Sequence, residues 1–312
     1  MIRTAPAPLY LLSRHVRESG FKVVLTGEGA DEMLGGYDIF KEAKIRRFWG
    51  RQLDSKWRPL LLKRLYPHMD HLQRQSPAYL KSFFRLTAQD LDNPFFSHLP
   101  RWDLTAKLKM LLTENARSEI GQYDAVAELA RELPDGFAAW DAFNQAEYLE
   151  AMYLLPGYIL SAQGDRMAMA HSVEARYPFL DHRVVEFATK LPPSLKMKVL
   201  DEKHLLKLAT GGLIPESIRK RAKQPYRAPD GRSFFGARIP EYIAELLLPE
   251  RLKHDGIFAP HLVSALVSKF RAGRAIGTKD NMAMVGIVST QLVLDKFAGL
   301  HDKRHRHAAA TR

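Results

Sequence analysis

No cysteine occurs among the 312 residues, which removes disulfides, thiolate metal sites and a cysteine nucleophile together. No uninterrupted apolar run approaches the roughly 18 residues of a membrane span, and the opening Met1-Ile2-Arg3-Thr4-Ala5-Pro6 lacks the apolar core of a secretory signal. A soluble, cytoplasmic protein with no membrane partner is therefore expected. Internal repeats and low-complexity segments are also missing. So is an acidic excess: 47 Lys and Arg stand against 35 Asp and Glu, a net charge of +12 that favours anionic partners.

What is present is a chain with 46% hydrophobic residues, enough for one large core or two modest ones. Part of the positive charge is local, because residues 41–64 hold nine basic and two acidic side chains interleaved with Phe48, Trp49 and Trp57. Solvated faces of ordinary helices have the same composition, so a nucleic-acid partner is not the expectation and a basic binding module is kept as an alternative. Lys303, Arg304, Arg306 and Arg312 add a basic tail, expected to be disordered over 301–312.

Strand character is scarce. Leu9, Leu12 and Val16 have helical spacing after Pro8, and the helix they predict ends at Gly20. The β-branched, apolar run Phe21-Lys22-Val23-Val24-Leu25 then predicts one buried-type strand near residues 21–26. It leads into Thr26-Gly27-Glu28-Gly29-Ala30-Asp31-Glu32 and a helix closed by Gly35-Gly36. No second segment of comparable strand character follows. Residues 143–154, 158–170, 183–190, 202–209, 263–270 and 282–297 all carry helix-period apolar faces, the last apolar almost all round. The expected fold is mainly α, organised as one domain over 1–300 with an internal break near Pro134-Asp135-Gly136.

The segment from Thr26 to Glu32 puts three carboxylates and two glycines at the carboxyl end of a strand, where open parallel sheets bind ligands. Glycines admit a phosphate to the backbone, but a bare carboxylate 4 Å away repels it by about 4 kcal/mol at an effective dielectric near 20. Mg²⁺ resolves that conflict, since it takes one or two protein carboxylates and fills its other positions with phosphate oxygens and water. The competing reading is that Asp31 and Glu32 only complement the dipole of the next helix.

The longer string Val23-Val24-Leu25-Thr26-Gly27-Glu28-Gly29-Ala30-Asp31-Glu32-Met33-Leu34-Gly35-Gly36-Tyr37 resembles the signature of glutamine-hydrolysing asparagine synthetases and their β-lactam-forming relatives. A second block, Asp165 to Asp181, and a third, Arg219 to Gln224 after Ile214-Pro215-Glu216, are similar to further signatures of that family in the usual order. The resemblance implies the C-terminal remnant of an α/β adenine-nucleotide α-hydrolase-like, or ATP pyrophosphatase, domain. It implies an ATP-dependent, amide-forming ligase that adenylates the aspartate side chain and transfers glutamine-derived ammonia to it, giving asparagine, AMP and pyrophosphate. ATP and Mg²⁺ are the implied cofactors.

Carried over position by position, the resemblance makes Thr26 and Gly27 nucleotide contacts and Asp31 a ligand of Mg²⁺ and pyrophosphate. It makes Glu28 a catalytic group where ammonia must shed a proton, a step that a positioned carboxylate base accelerates by about 10²–10⁴-fold. Lys223 is implied as the second catalytic group, offsetting charge on pyrophosphate or the tetrahedral intermediate. Arg166, Glu174 and Arg176 are candidate substrate or phosphate contacts, although Glu174 and Arg176, two apart in extended chain, are equally placed to pair with each other. Asp181 reads as a helix N-cap.

The family's Ser-Gly-Gly-x-Asp-Ser phosphate loop and its N-terminal cysteine find no counterpart in the sequence. The expectation is a half-site, inactive alone, to be completed by a separate N-terminal glutaminase and phosphate-loop polypeptide. A truncated product, one piece of a divided enzyme and a fragment of a longer sequence remain open. So do another acceptor for the same chemistry and an inactive remnant.

Overall fold

The computed structural model describes residues 2–226, 228–236, 238–275 and 277–298. The tail over 301–312 lies outside the described residues. The chain divides into two compact units, one formed by Leu9–Arg101 and Leu133–Tyr226, the other by Met1–Pro8, Trp102–Glu132 and Arg227–Arg312.

The first unit carries the sequence motifs. Helix α1 (Pro6–Glu18) ends beside Gly20 in a left-handed turn, and β1 (Val23–Leu25) follows. Helix α2 (Ala30–Leu34) and helix α3 (Asp38–Gly50) come next, separated by Gly35 at φ 69°. Helix α4 (Ala142–Leu149) continues without a break as a π-type helix over Glu150–Asp165 and then as α5 (Arg166–Met169). The sequence predicted two helices here with Pro156-Gly157 as punctuation. In the wider π turn a proline lacks only a donor and need not crowd the carbonyl four residues back, so the helix runs on.

β2 (Glu174–Arg176) pairs with β1 in parallel, with Val23 opposite Glu174 and Leu25 opposite Arg176. This partner was not anticipated, because Glu-Ala-Arg has little β propensity and is held by tertiary contacts. Lys22 O accepts from Glu174 N at 2.7 Å, and Arg176 O accepts from Thr26 N at 2.9 Å, extending the ladder at both ends. The sheet has these two strands, so the edge of β1 away from β2 is open among the described residues. Leu25 is 76% exposed and Val23 49%, although their residue types are those of a strand covered on both faces.

Two apolar clusters support this unit. Ile39 and Phe40 of α3 pack with Phe143, Ala146 and Met197, directly behind the loop that follows β1. Ile45 and Trp49, further along α3, pack with Leu62, Leu65, Leu72, Leu80, Phe84 and Leu86. Beyond β2, Asp181 caps helix α6 (His182–Thr189) by accepting from Arg183 N at 2.9 Å, as its sequence position predicted. Helix α7 (His204–Ala209) begins at Lys203.

The second unit is built around helix α8 (Pro260–Arg271) and helix α9 (Thr278–Val293). Met284, Ile287 and Val288 of α9 are buried against Val263, Leu266, Phe270, Ile243 and Leu252. That fits the core-helix expectation. The apolar face ends early, with Val293 and Phe297 exposed.

Candidate functional site

β1 delivers the chain to a short glycine-punctuated loop. Thr26 and Glu28 are half-buried and Gly27 is exposed, with open space where a Cβ would stand. The Thr26 Oγ1 and one carboxylate oxygen of Glu28, Oε2, are buried and have no hydrogen-bond partner. Such atoms are uncommon in folded proteins and call for an explanation, of which a ligand is one.

Gly29 then adopts φ 94°, a conformation open to glycine at little cost, and its Cα lies against Leu180 so closely that a Cβ there would collide with that side chain. The second sequence block is thereby packed onto the first. Glu32, 1% exposed, reaches back to accept from Gly29 N at 3.1 Å and also accepts from the Tyr37 hydroxyl at 2.6 Å. Burial raises the pKa of this carboxyl against the pull of the Tyr37 bond. Burial and the nearby Glu32 carboxylate likewise raise the Tyr37 hydroxyl.

With the loop held this way, Asp31 faces two lysines from distant parts of the sequence. Lys203 Nζ donates to Asp31 Oδ1 at 2.6 Å, and Lys223 Nζ donates to Asp31 Oδ2. Burial pushes the Asp31 carboxyl upward, but the Lys203 and Lys223 ammonium groups outweigh it and hold the pKa below the ordinary value. The Lys223 ammonium also stands over the Tyr37 ring, 5.5 Å from its centroid. Gly36 is required beside this cluster, since a Cβ there would run into Asp31 Oδ1.

The arrangement therefore joins Asp31 and Lys223, both singled out in the sequence, and adds Lys203, which was not. Lys203 stands at the start of an ordinary helical pattern and belongs to no string that marked it. Glu202 was missed for the same reason. Glu28 lies on the loop just before α2, which carries Asp31, and its charge helps to raise the Tyr177 hydroxyl, after burial and the bond that Tyr177 donates to Asp165 at 2.8 Å. Glu174 and Arg176 are exposed and pair with each other at 2.9 Å, one of the two arrangements the sequence allowed. Arg166 is exposed on α5, and no hydrogen bond or ion pair ties it to Asp31, Glu28 or Lys223.

The basic stretch over 41–64 turns largely inward. Arg46, Arg47 and Arg58 donate to the carbonyls of Phe96, Leu91 and Phe48, and their guanidinium groups lie over the Phe96 and Phe48 rings. Lys44 donates to Met197 O, Lys63 to Gln73 O, and Lys41 pairs with Glu202. These side chains hold the unit together and do not form a basic face for nucleic acid.

Thr26 Oγ1, the open backbone at Gly27 and the lysine pair fit phosphate groups and a released anion. In this structure ammonium groups take both oxygens of Asp31, and no group of three His, Asp or Glu that could hold a metal ion exists among the described residues. Mg²⁺ needs only one or two protein carboxylates beside phosphate oxygens and water, so Asp31 would hold it where a bound anion takes its place on the lysines.

A glycine-rich loop after a parallel strand, with a carboxylate, unpartnered polar atoms and two lysines around it, stands where parallel sheets bind ligands, in a mainly helical chain. The chain belongs to the asparagine synthase family, whose pattern matches residues 1–295. The family is one of ATP-dependent carbon–nitrogen ligases. Among curated relatives, amidase chry2 of Gibberella zeae is 27% identical over 272 residues, covering 78% of this chain and 37% of that protein. Amidase chyE of Penicillium rubens is 27% identical over 263 residues, 78% of this chain and 38% of that protein. Glutamine-hydrolyzing asparagine synthetase 1 of Bacillus subtilis is 28% identical over 225 residues, 72% of this chain and 33% of that protein. The chain thus spans well under half the length of these relatives. No helix among the described residues is long and apolar enough to cross a membrane.

Proposed function

We propose that this chain supplies one half of the synthetase site of an enzyme that adenylates the side-chain carboxylate of aspartate and passes glutamine-derived ammonia to it. The observation that carries this reading is the cluster of Lys203 and Lys223 on Asp31, three residues after Glu28 in the chain that follows β1, in a member of the asparagine synthase family.

In this reading the aspartate carboxylate attacks the α-phosphate of ATP and pyrophosphate leaves. Lys203 and Lys223 exchange Asp31 for the departing anion, which keeps two fixed cations where negative charge develops. The backbone at Gly27 and the Thr26 hydroxyl contact the nucleotide. Ammonia then adds to the acyl carbonyl, AMP departs, and the unpartnered oxygen of Glu28 takes the proton that the new amide sheds. The open edge and bare face of β1 receive strands that carry a phosphate loop, on the same or another polypeptide.

The test is ATP–pyrophosphate exchange with aspartate and Mg²⁺, run on this chain with and without such a polypeptide. Exchange is expected in the mixture and lost in Lys223→Ala, while Glu28→Gln retains exchange and forms asparagine about 10²–10⁴-fold more slowly. Absence of exchange in the complete mixture would count against aspartate as the acceptor.

A second reading keeps the chemistry and changes the acceptor. It draws on the relatives named amidases, which match as well as the asparagine synthetase does. Exchange that starts only with a carboxylate other than aspartate supports it.

A further inference from the structure

We propose that Glu202 is the positioning residue of this site, holding the Lys203 and Lys223 ammonium groups on Asp31 without touching a reacting atom. The role rests on the reading of the lysine pair as an anion-binding element.

Glu202 is 4% exposed and gathers donors from three parts of the chain. Its Oε2 pairs with Lys41 Nζ of α3 at 2.7 Å, while its Oε1 accepts from the backbone N–H of Lys223 at 3.1 Å and lies 3.3 Å from Lys207 Nζ of α7. Lys223 stands in a stretch, 221–226, with neither helix nor strand, so no ladder of backbone bonds fixes it. The bond to Glu202 is what ties its backbone to the rest of the unit.

The same carboxylate fixes Lys203 through the chain. Lys198 and Asp201 exchange backbone bonds at 3.1 and 2.9 Å, closing a tight turn just before Glu202. Lys203 then takes φ 50° and ψ 37°, a left-handed conformation that non-glycine residues hold only when their surroundings impose it. That turn directs the Lys203 side chain at Asp31 Oδ1. Anchoring the preceding residue in a buried ion cluster supplies the constraint. Burial alone would raise the Glu202 pKa, yet the bond from Lys41 and the charges of Lys41 and Lys207 bring it below the ordinary value, so the carboxylate is ionised when it does this work.

Both lysines on Asp31 are therefore indexed from one buried group whose own partners are Lys41, Lys207 and the Lys223 backbone. Removing its charge should leave the fold standing and let the two ammonium groups wander. Removing either lysine should abolish the anion contact outright.

The experiment is pulse labelling of lysine amines with acetic anhydride, read residue by residue by mass spectrometry. In Glu202→Gln, labelling of Lys203 and Lys223 is expected to rise about tenfold, the change that losing one hydrogen bond to a charged group brings. Lys196, buried against Glu147 at 2.6 Å, is the internal control and should stay slow. Unchanged labelling of Lys203 and Lys223 overturns the proposal. A measurement on the unaltered chain guards against a variant that fails to fold: the Lys223 amide should exchange with deuterium about tenfold more slowly than those of Ala222 and Gln224. Equal rates overturn the proposal as well. Titration with inorganic pyrophosphate separates this role from the reading beneath it. Pyrophosphate that binds the wild type, weakens about tenfold in Glu202→Gln and is lost in Lys223→Ala supports both. A labelling response without pyrophosphate binding in the wild type supports the positioning role and removes the anion-site reading.

Discussion

The Lys223 ammonium bonds the Oδ2 of Asp31 across 192 residues of sequence, and the two stand in separate sequence blocks. Neither block contains the other's partner, so the pair exists only in the folded chain. Lys223→Ala leaves Asp31 with Lys203 alone and takes a fixed cation from the site. The expected result is a loss of pyrophosphate affinity of at least tenfold, equivalent to about 1.4 kcal/mol, read by calorimetric titration.

Asp31 also gives the chain an acid limb. Its pKa is depressed in the folded state, so the stability it contributes is complete above the ordinary value of 3.8 and is lost as pH falls through the lower, folded value. Asp31→Asn should therefore flatten the stability profile below pH 3.8 and shift it by a constant amount above. Urea unfolding at a series of pH values measures this, and parallel profiles for the two proteins throughout would refute it.

Gly36→Ala places a methyl group on Asp31 Oδ1. It would also meet the Asp31 Cα at 2.9 Å, which α2 holds in place, so a cost of about 1–3 kcal/mol is expected from overpacking. Gly27→Ala, in open space, should be nearly neutral in the same denaturation experiment and still impair nucleotide binding.

The buried pair of Glu147 and Lys196, at 2.6 Å, lies behind the Gly35 turn. Burial pushes the Glu147 carboxyl up to about 8 despite the Lys196 ammonium beside it. Lys196→Met removes the ammonium that favours the ionised form, so Glu147 stays protonated near neutral pH and loses its partner at a cost of about 1–3 kcal/mol, whereas the double variant Glu147→Met/Lys196→Met, with no buried polar group left, should recover most of the loss. A double-mutant cycle in thermal unfolding reads the coupling, and additive losses would contradict it.

The open edge of β1 makes its own forecast. Leu25→Lys should improve the solubility of the isolated chain by placing a charge on an exposed apolar strand, and should prevent association with a polypeptide that completes the sheet. Gel filtration of the mixture distinguishes the outcomes, and undiminished association would mean that the partner docks elsewhere.

Much of the site could be read before folding because its first block is contiguous. Val23 to Leu25 is apolar and β-branched, Thr26 to Glu32 follows it directly, and the glycines at 29, 35 and 36 stand where turns and close approach demand them. Asp181 was equally legible, since an N-cap is a local event. β2 was not, because Glu-Ala-Arg becomes a strand only through the register it shares with β1. Lys203 escaped because its left-handed backbone is imposed by Glu202 and the turn before it, and periodicity carries no trace of that. Pro156 looked like a boundary, and the π register that absorbs it depends on the packing of the whole helix.

The reach of the Asp31 cluster along the chain sets the order in which this protein can acquire it. Helices such as α3 and α4 need only near neighbours, while Lys203 and Lys223 meet Asp31 after closing loops of 172 and 192 residues. During synthesis Asp31 emerges before both lysines, and its pair of ammonium partners is complete only when residue 223 has left the ribosome. Helical content should therefore recover ahead of anion binding on dilution from denaturant, and a nascent chain stopped short of Lys223 should bind pyrophosphate no better than Lys223→Ala does.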